Sequence, residues 1–251
     1  DENWSDTYFE GWKKLRKLRA DKNSNRDFNF DIIMANPPFA GDVKESRILA
    51  KYDLSRTATL EKLKNVPKGS KTVVGEPTFT DALNNDGETV YQMSDGTFRK
   101  TKLKQATNMS RDILFVERNL DFLKPGGRMA IVLPQGRFNN SSDKSLREYI
   151  ADRCRILAIV GLHGNVFKPH TGTKTSVLFV QKWDDELCPK VDDYNIFFAT
   201  MQEPSKDNSG DKIYRSTVDE EGNNIPLLDS HGHLIVKHDL FNHDGLTQDG
   251  I

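Results

Sequence analysis

Apolar and polar positions divide the chain into an alternating centre and two less regular stretches. From Ser110 to Leu123, the residues Ile113, Leu114, Val116, Leu120 and Leu123 recur at helical spacing, and Pro125-Gly126-Gly127 stops that helix and turns the chain into an apolar strand over Arg128 to Leu133. Ser142 or Asp143 can cap a second helix that runs to about Arg153. Strands follow at Arg155 to Gly161 and Thr175 to Lys182, near enough to pair as an antiparallel hairpin. Upstream, a strand from Phe28 to Ala35 carries the apolar run Ile32-Ile33-Met34-Ala35 and ends abruptly at Asn36-Pro37-Pro38-Phe39. Helix-to-strand alternation of this kind predicts an α/β domain with a largely parallel sheet.

The flanking stretches read differently. Trp4, Tyr8, Phe9, Trp12, Leu15 and Leu18 lie at roughly helical spacing with Lys13, Lys14, Arg16, Lys17 and Arg19 between them, which predicts an amphipathic helix over Trp4 to Ala20 with a basic outer face. Residues 21–27 form a polar connector. Residues 40–109 depart from the alternation: Ile48 to Leu63 has helical periodicity, Val66 to Gly75 is loop-like, and Thr89 to Met93 is a strand that a turn at Asp95-Gly96 folds into a hairpin. A structureless connection of that length is unusual inside a domain, so 40–109 is expected to be a folded insertion or a partly mobile lid. From Trp183 onward Gly, Asp, Asn and Ser dominate. Asn195 to Thr200 can add a strand, and His233 to Lys237 alternates, so residues 183–251 read as extended loops and hairpins beside a body formed by residues 1–182.

Charge sharpens this division. The net charge is −1, but residues 183–251 hold 5 Lys or Arg against 15 Asp or Glu, leaving 31 against 22 in residues 1–182, so a polyanion is drawn to the body and repelled by the tail. The insertion carries 12 basic residues against 9 acidic ones, and Lys100, Lys102 and Lys104 within it are the candidate phosphate contacts. With 36% hydrophobic and 29% charged residues and no apolar run of membrane-spanning length, the chain reads as a polar, non-membrane protein. Cys154 and Cys188 form neither a disulfide framework nor a metal site and fit a reducing compartment, so a cytoplasmic location is expected. His231, His233, His238 and His243 cluster in sequence without a zinc spacing, and no metal is expected there.

The turn at Asn36 suits methyl transfer to an exocyclic amino nitrogen. Such a nitrogen has its lone pair delocalised into a ring, so its N–H bonds must be held by acceptors while the lone pair turns toward the methyl donor. The Asn36 side-chain oxygen can accept one hydrogen. The Pro37 carbonyl can accept the other, because two successive prolines leave it little freedom to rotate away. Phe39 offers a flat face for a base extruded from a duplex.

These residues resemble the catalytic motif of S-adenosylmethionine-dependent amino methyltransferases, in particular N6-adenine DNA methyltransferases. Phe122-Leu-Lys-Pro-Gly-Gly-Arg128-Met-Ala-Ile-Val-Leu-Pro134 and Val166-Phe-Lys-Pro-His-Thr-Gly-Thr173-Lys-Thr-Ser-Val-Leu-Phe-Val180 resemble, in order, later segments of the modification subunit of type I restriction systems. An ordinary loop opener can also read Asn-Pro-Pro; three segments in the right order separate the two readings. The resemblance covers roughly Asp31 to Lys182. It implies a Rossmann-like methyltransferase fold, of which this chain holds the catalytic half. It also implies S-adenosylmethionine as cofactor, adenine in DNA as substrate, and specificity and restriction subunits as partners. Catalytic roles then fall on Asn36, Pro37, Pro38 and Phe39.

The cofactor residues cannot be assigned. That fold holds the cofactor at a glycine-rich turn after its first strand, and no Gly-x-Gly occurs among the 17 glycines, while only 27 residues precede the strand that leads to Asn36. The chain is therefore expected to be a fragment that is inert alone. Two alternatives remain open: an RNA-base or protein-glutamine methyltransferase, and a non-catalytic module binding nucleic acid or a partner subunit.

Overall fold

The computed structural model describes residues 29–239 apart from 86, together with Glu10 and Lys13. These last two lie in helical backbone, exposed and ion-paired at 2.9 Å; the rest of the expected Trp4–Ala20 helix and the 21–27 connector lie outside the described residues. In chain order come β1 (Phe30–Ala35), β2 (Asp42–Val43), α1 (Ser46–Leu49), β3 (Arg56–Lys62), β4 (Lys71–Val74), α2 (Phe79–Asn84), β5 (Thr89–Gln92), β6 (Phe98–Gln105) and β7 (Met109–Ser110). The second half holds α3 (Arg111–Phe122), β8 (Leu123–Pro134), α4 (Gly136–Asn139), α5 (Lys144–Arg153), β9 (Cys154–Gly161), β10 (Thr175–Lys182), β11 (Phe197–Thr200), β12 (Ser216–Val218) and β13 (Asn224–Pro226).

The principal sheet is ordered β1-β8-β10-β9-β11. β1 runs parallel to β8 and β11 parallel to β9, while β10 is antiparallel to both of its neighbours, so one reversed strand sits among four that run together. This is the mixed α/β arrangement, closed by an antiparallel hairpin, that the sequence implied. Ile33 and Ala35 face the same side of the sheet as Met129, Ile131, Leu133, Leu178 and Val180. Val116 and Leu120 of α3 and Leu146, Tyr149 and Ile150 of α5 complete that core. On the opposite face of β1, Ile32 and Met34 are 68% and 83% exposed.

The insertion is folded. Its sheet has the order β3-β6-β5-β4, with the expected hairpin between β5 and β6 across Asp95-Gly96. Two expectations fail here. The helix read over Ile48 to Leu63 is only the single turn α1 followed by strand β3, because β3 finds its partner β6 some forty residues later and that pairing overrides the local periodicity. Part of the loop read over Val66 to Gly75 is strand β4, parallel to β5. Thr78 and Asp81 form a reciprocal capping box at the start of α2. Next to it, Phe79 is buried in the main core and its N–H donates to Glu148 of α5 at 2.9 Å, which fastens the insertion to the body.

Two further expectations change. β8 begins at Leu123, before Pro125-Gly126-Gly127, and those residues form an irregularity in which Phe30 pairs with Leu123 but Ile32 pairs with Arg128. Gly127 is needed there: a Cβ would lie 3.1 Å from the Asp31 carbonyl oxygen and 2.9 Å from that of Lys124. Asp143 stands at the N-cap position of α5 but makes no capping hydrogen bond. Instead it pairs with Arg137.

Arg137 joins three segments. Its Nε and Nη2 donate to the two Asp112 carboxylate oxygens at 2.8 and 3.0 Å, its Nη1 donates to Asp143 at 3.1 Å, and Nη2 also donates to the Ser110 hydroxyl at 3.0 Å. Asp112 is fully buried and Asp143 nearly so. Burial alone would lower the Arg137 pKa, but the hydrogen bonds and charges of Asp112 and Asp143 outweigh it and raise the pKa above its ordinary value. Lys182 similarly closes the C-terminus of α3, donating to the Leu120 and Leu123 carbonyls at 2.7 and 2.8 Å.

Breaking a buried pair leaves its partner charge uncompensated, at a cost of about 3 to 5 kcal/mol. Asp112→Ala should show that loss in urea unfolding of this chain, and Arg137→Met, which strands two carboxylates, a comparable one. A change below about 1 kcal/mol in both variants would reduce the cluster to a surface interaction.

Candidate active site

The strand ends place the candidate residues. β1, β8, β9 and β11 run together, so Asn36, Gln135, Leu162 and Met201 emerge at one edge of the sheet, the edge where α/β proteins hold ligands. Asn36 follows directly on Ala35, which still pairs with Ile131. Its side chain is exposed and makes no hydrogen bond within the described residues, whereas Pro37 behind it is buried. An anchored proline with a free, outward-facing amide is the arrangement a substrate-binding acceptor requires. Pro38 is exposed and Phe39 half-buried.

The chain leaving Phe39 is held in place. Gly41 has φ of +96°, a conformation that favours glycine, and its carbonyl accepts from the Arg111 N–H at 3.1 Å. β2 then pairs antiparallel with β7, and Asn108 Nδ2 donates to Asp42 at 3.2 Å. Ser110 ends β7 and Asp112 follows it, so the Arg137 cluster fixes the far side of the same ribbon.

Sequence reasoning had not given Phe167 a role. The β9–β10 loop brings it to Phe39, with ring centroids 5.1 Å apart and planes at 87°, an edge-to-face pair. The signal was present, since Phe167 belongs to the Val166-Phe-Lys-Pro segment that carried part of the resemblance. Two cavities open along this edge, both touching Gln135, Gly161, Ser176 and Thr200; one continues over Phe138, Ile150 and Phe198, the other beneath the β9–β10 loop. Neither has any of Asn36 to Phe39 among its lining residues.

Lys100, Lys102 and Lys104 alternate along β6 and so share one face of the insertion sheet, opposite Glu61, Thr59 and Thr57. Lys102 lies 4.0 Å from Glu61. No described contact brings these lysines to the Asn36 turn. No group of three or more metal-capable side chains converges among the described residues. His231 and His233 stack at 6.2 Å beside the Asp229 turn, and His243 lies outside the described residues.

A family model described as N-6 DNA Methylase matches residues 50–221. The methylase subunit of the type I restriction enzyme EcoEI from Escherichia coli is 33% identical over 89 residues, 35% of this chain and 18% of that protein. The EcoKI methylase subunit from Escherichia coli strain K12 is 26% identical over 128 residues, 49% of this chain and 21% of that protein. Each match thus takes in about a fifth of the relative's length. A solved chain from Listeria monocytogenes, described as a class I S-adenosylmethionine-dependent methyltransferase, superposes with a TM-score of 0.41 at 15% identity over 68% of this chain and 36% of its own.

An exposed side chain with no hydrogen bonds contributes little to folding, so Asn36→Ala should leave the thermal unfolding midpoint close to that of the parent, a change within about 0.5 kcal/mol. A loss of more than about 1 kcal/mol would instead mean that Asn36 serves to hold the loop open.

Proposed function

The chain belongs to the N-6 DNA methylase family, and from that premise we propose that it forms the catalytic half of an adenine-N6 DNA methyltransferase, the modification subunit of a type I restriction-modification system. One observation carries the reading: Asn36 projects free from the end of β1 on a buried Pro37, beside a paired Phe39 and Phe167. On this reading the adenine amino group donates one hydrogen to the Asn36 side-chain oxygen and the other to the Pro37 carbonyl. The lone pair is thereby directed out of the ring plane, toward the incoming methyl group. The two phenylalanines supply flat and edge contacts that hold the extruded ring.

S-adenosylmethionine would supply the electrophilic methyl group. The described residues do not complete a pocket for it. Among the described residues no strand pairs with β1 on the side away from β8, Ile32 and Met34 beside it are exposed, and the chain contains no Gly-x-Gly. A parallel pair of strands is ordinarily covered on both faces, and this bare face supports the reading that the cofactor half is supplied by further polypeptide. The fragment alone is then inert, and specificity and restriction subunits are its partners in the cytoplasm.

An aromatic pair favours a planar ring over a glutamine amide as acceptor. It does not choose between DNA and RNA; the family model favours DNA.

The assembled enzyme tests the turn. Loss of one oriented acceptor at a reacting centre costs on the order of 10²- to 10³-fold in rate, so Asn36→Ala should lower turnover by that factor with cofactor affinity little changed. Phe39→Ala and Phe167→Ala should each weaken productive binding by roughly 1 to 3 kcal/mol, and Phe39→Trp should retain much of the activity. Methylation by Asn36→Ala at the parent rate would sink the assignment.

Lys100, Lys102 and Lys104 are proposed to meet the phosphate backbone. Abolishing one lysine–phosphate pair should take about one unit from the salt slope of duplex binding, so replacing all three lysines with Glu should flatten that slope. An unchanged slope would move the DNA path off this sheet.

A further inference from the structure

The β9–β10 loop that presents Phe167 has a second feature at its base. A cavity of about 500 Å³ lies beneath it, between the ends of β8, β9 and β11, with Gln135, His163, Asn165, Lys174, Thr175 and Gln202 among its lining residues. Its lining contains no acidic side chain. Asp239 is near the rim, but its carboxylate accepts from the Gln202 backbone N–H at 2.8 Å and is not part of the wall. Beside these polar groups and the one ammonium group, the wall includes Leu162, Met201 and two glycines.

Thr175 is the informative member. It is 2% exposed, and its hydroxyl has no hydrogen-bond partner among the described residues. Its backbone is held in the sheet, in register with Pro134 and with its carbonyl accepting from the Leu162 N–H at 2.9 Å. A buried hydroxyl left unpaired is unfavourable unless something entering the cavity completes it. His163 reinforces the preference. Its Nδ1 accepts from the Asn165 N–H at 3.2 Å, which puts the proton on Nε2 and makes that atom a donor. Lys174 precedes Thr175, and its carbonyl accepts from the Gln135 N–H at 2.9 Å.

We infer that this cavity binds a backbone phosphodiester, with its sugar, of the polynucleotide whose base meets the paired Phe39 and Phe167. The inference rests on the proposed action on DNA and adds a contact that reading does not include. Rotating a nucleotide out of a duplex turns it about the phosphates on either side, so a flipped base is held only if a neighbouring phosphate is held too. One loop carries both contacts: Phe167 near its middle meets the base, and Lys174 and Thr175 at its end meet the phosphate. The volume exceeds that of a phosphate alone and admits a sugar-phosphate unit. Thr175 and His163 Nε2 donate to its oxygens, and Lys174 supplies the opposing charge.

The probe is a trinucleotide, thymidine at each end and a tetrahydrofuran abasic unit between, titrated into this chain while the amide resonances of Gln135, Leu162 and Thr175 are followed. Saturable shifts at those three positions are expected. Thr175→Val and Lys174→Gln should each weaken binding about fivefold or more, and Thr175→Ser should restore it. The same trinucleotide with uncharged methylphosphonate linkages should not bind. Parent affinity in Thr175→Val, equal binding of the methylphosphonate, or shifts with inorganic phosphate alone would each overturn the inference, the first by leaving the hydroxyl to a buried water. Failure of the base-binding reading is distinguishable: Phe39→Ala in the assembled enzyme would methylate normally while the abasic probe still bound and still depended on Thr175.

Discussion

The guanidinium of Arg137 is the point through which the rest of the site is held. It lies after β8, yet it pairs with Asp112 at the start of α3, with Asp143 just before α5, and with Ser110 at the end of β7. β7 in turn holds β2, the segment that leaves the Asn36 turn. Removing two carboxylates and a guanidinium from water costs free energy that their mutual attraction only offsets when geometry and hydrogen bonding are complete. Here they are nearly complete, since Arg137 uses Nε and both Nη atoms and Arg147 bonds the Arg137 carbonyl from α5 at 3.2 Å. The cluster sits where the insertion rejoins the body at Ser110, so it fixes that end of the insertion.

The parts of this architecture that were legible in the sequence are those whose signal is local. Helix α3, strands β9 and β10, and the strand leading into Asn36 each carry their own periodicity, and many of their apolar positions are core positions, although Ile32 and Met34 of β1 are exposed. The misread parts depend on partners far away in sequence. In β3, Ala58 and Leu60 are half-buried while Thr57, Thr59 and Glu61 are exposed, an alternation that becomes decisive only once β6 lies alongside. Pro125-Gly126-Gly127 reads as a stop, but its Gly127 serves the close approach of β1. Asp143 is at a capping position and is diverted to Arg137, a buried cation that no local pattern announces.

The same distinction applies to the site. Asn36-Pro37-Pro38-Phe39 was recognisable because four adjacent residues carry it. Phe167 meets Phe39 only through the path of the β9–β10 loop, and the Thr175 cavity exists only because four strand ends converge, so neither could be located from spacing alone.

The acidic C-terminal segment also changes meaning once folded. Asp207, Asp219 and Asp229 each accept backbone N–H groups of the turn they begin, and Gly210, Gly222 and Gly232, each three residues on, all have positive φ. Part of the acidity is therefore turn chemistry rather than a repulsive field. The first of these turns also touches the site loop. Asn165 Nδ2 donates to the Lys206 carbonyl at 3.1 Å, Lys206 Nζ donates to the Lys168 carbonyl at 2.9 Å, and a Cβ on Gly210 would come within 2.5 Å of Pro169. Pro169 is two residues from Phe167, so the position of the second aromatic ring depends on a glycine in a segment that sequence composition had set apart from the catalytic body. The tail is thus a brace for the loop, and its net charge is a separate property from that role.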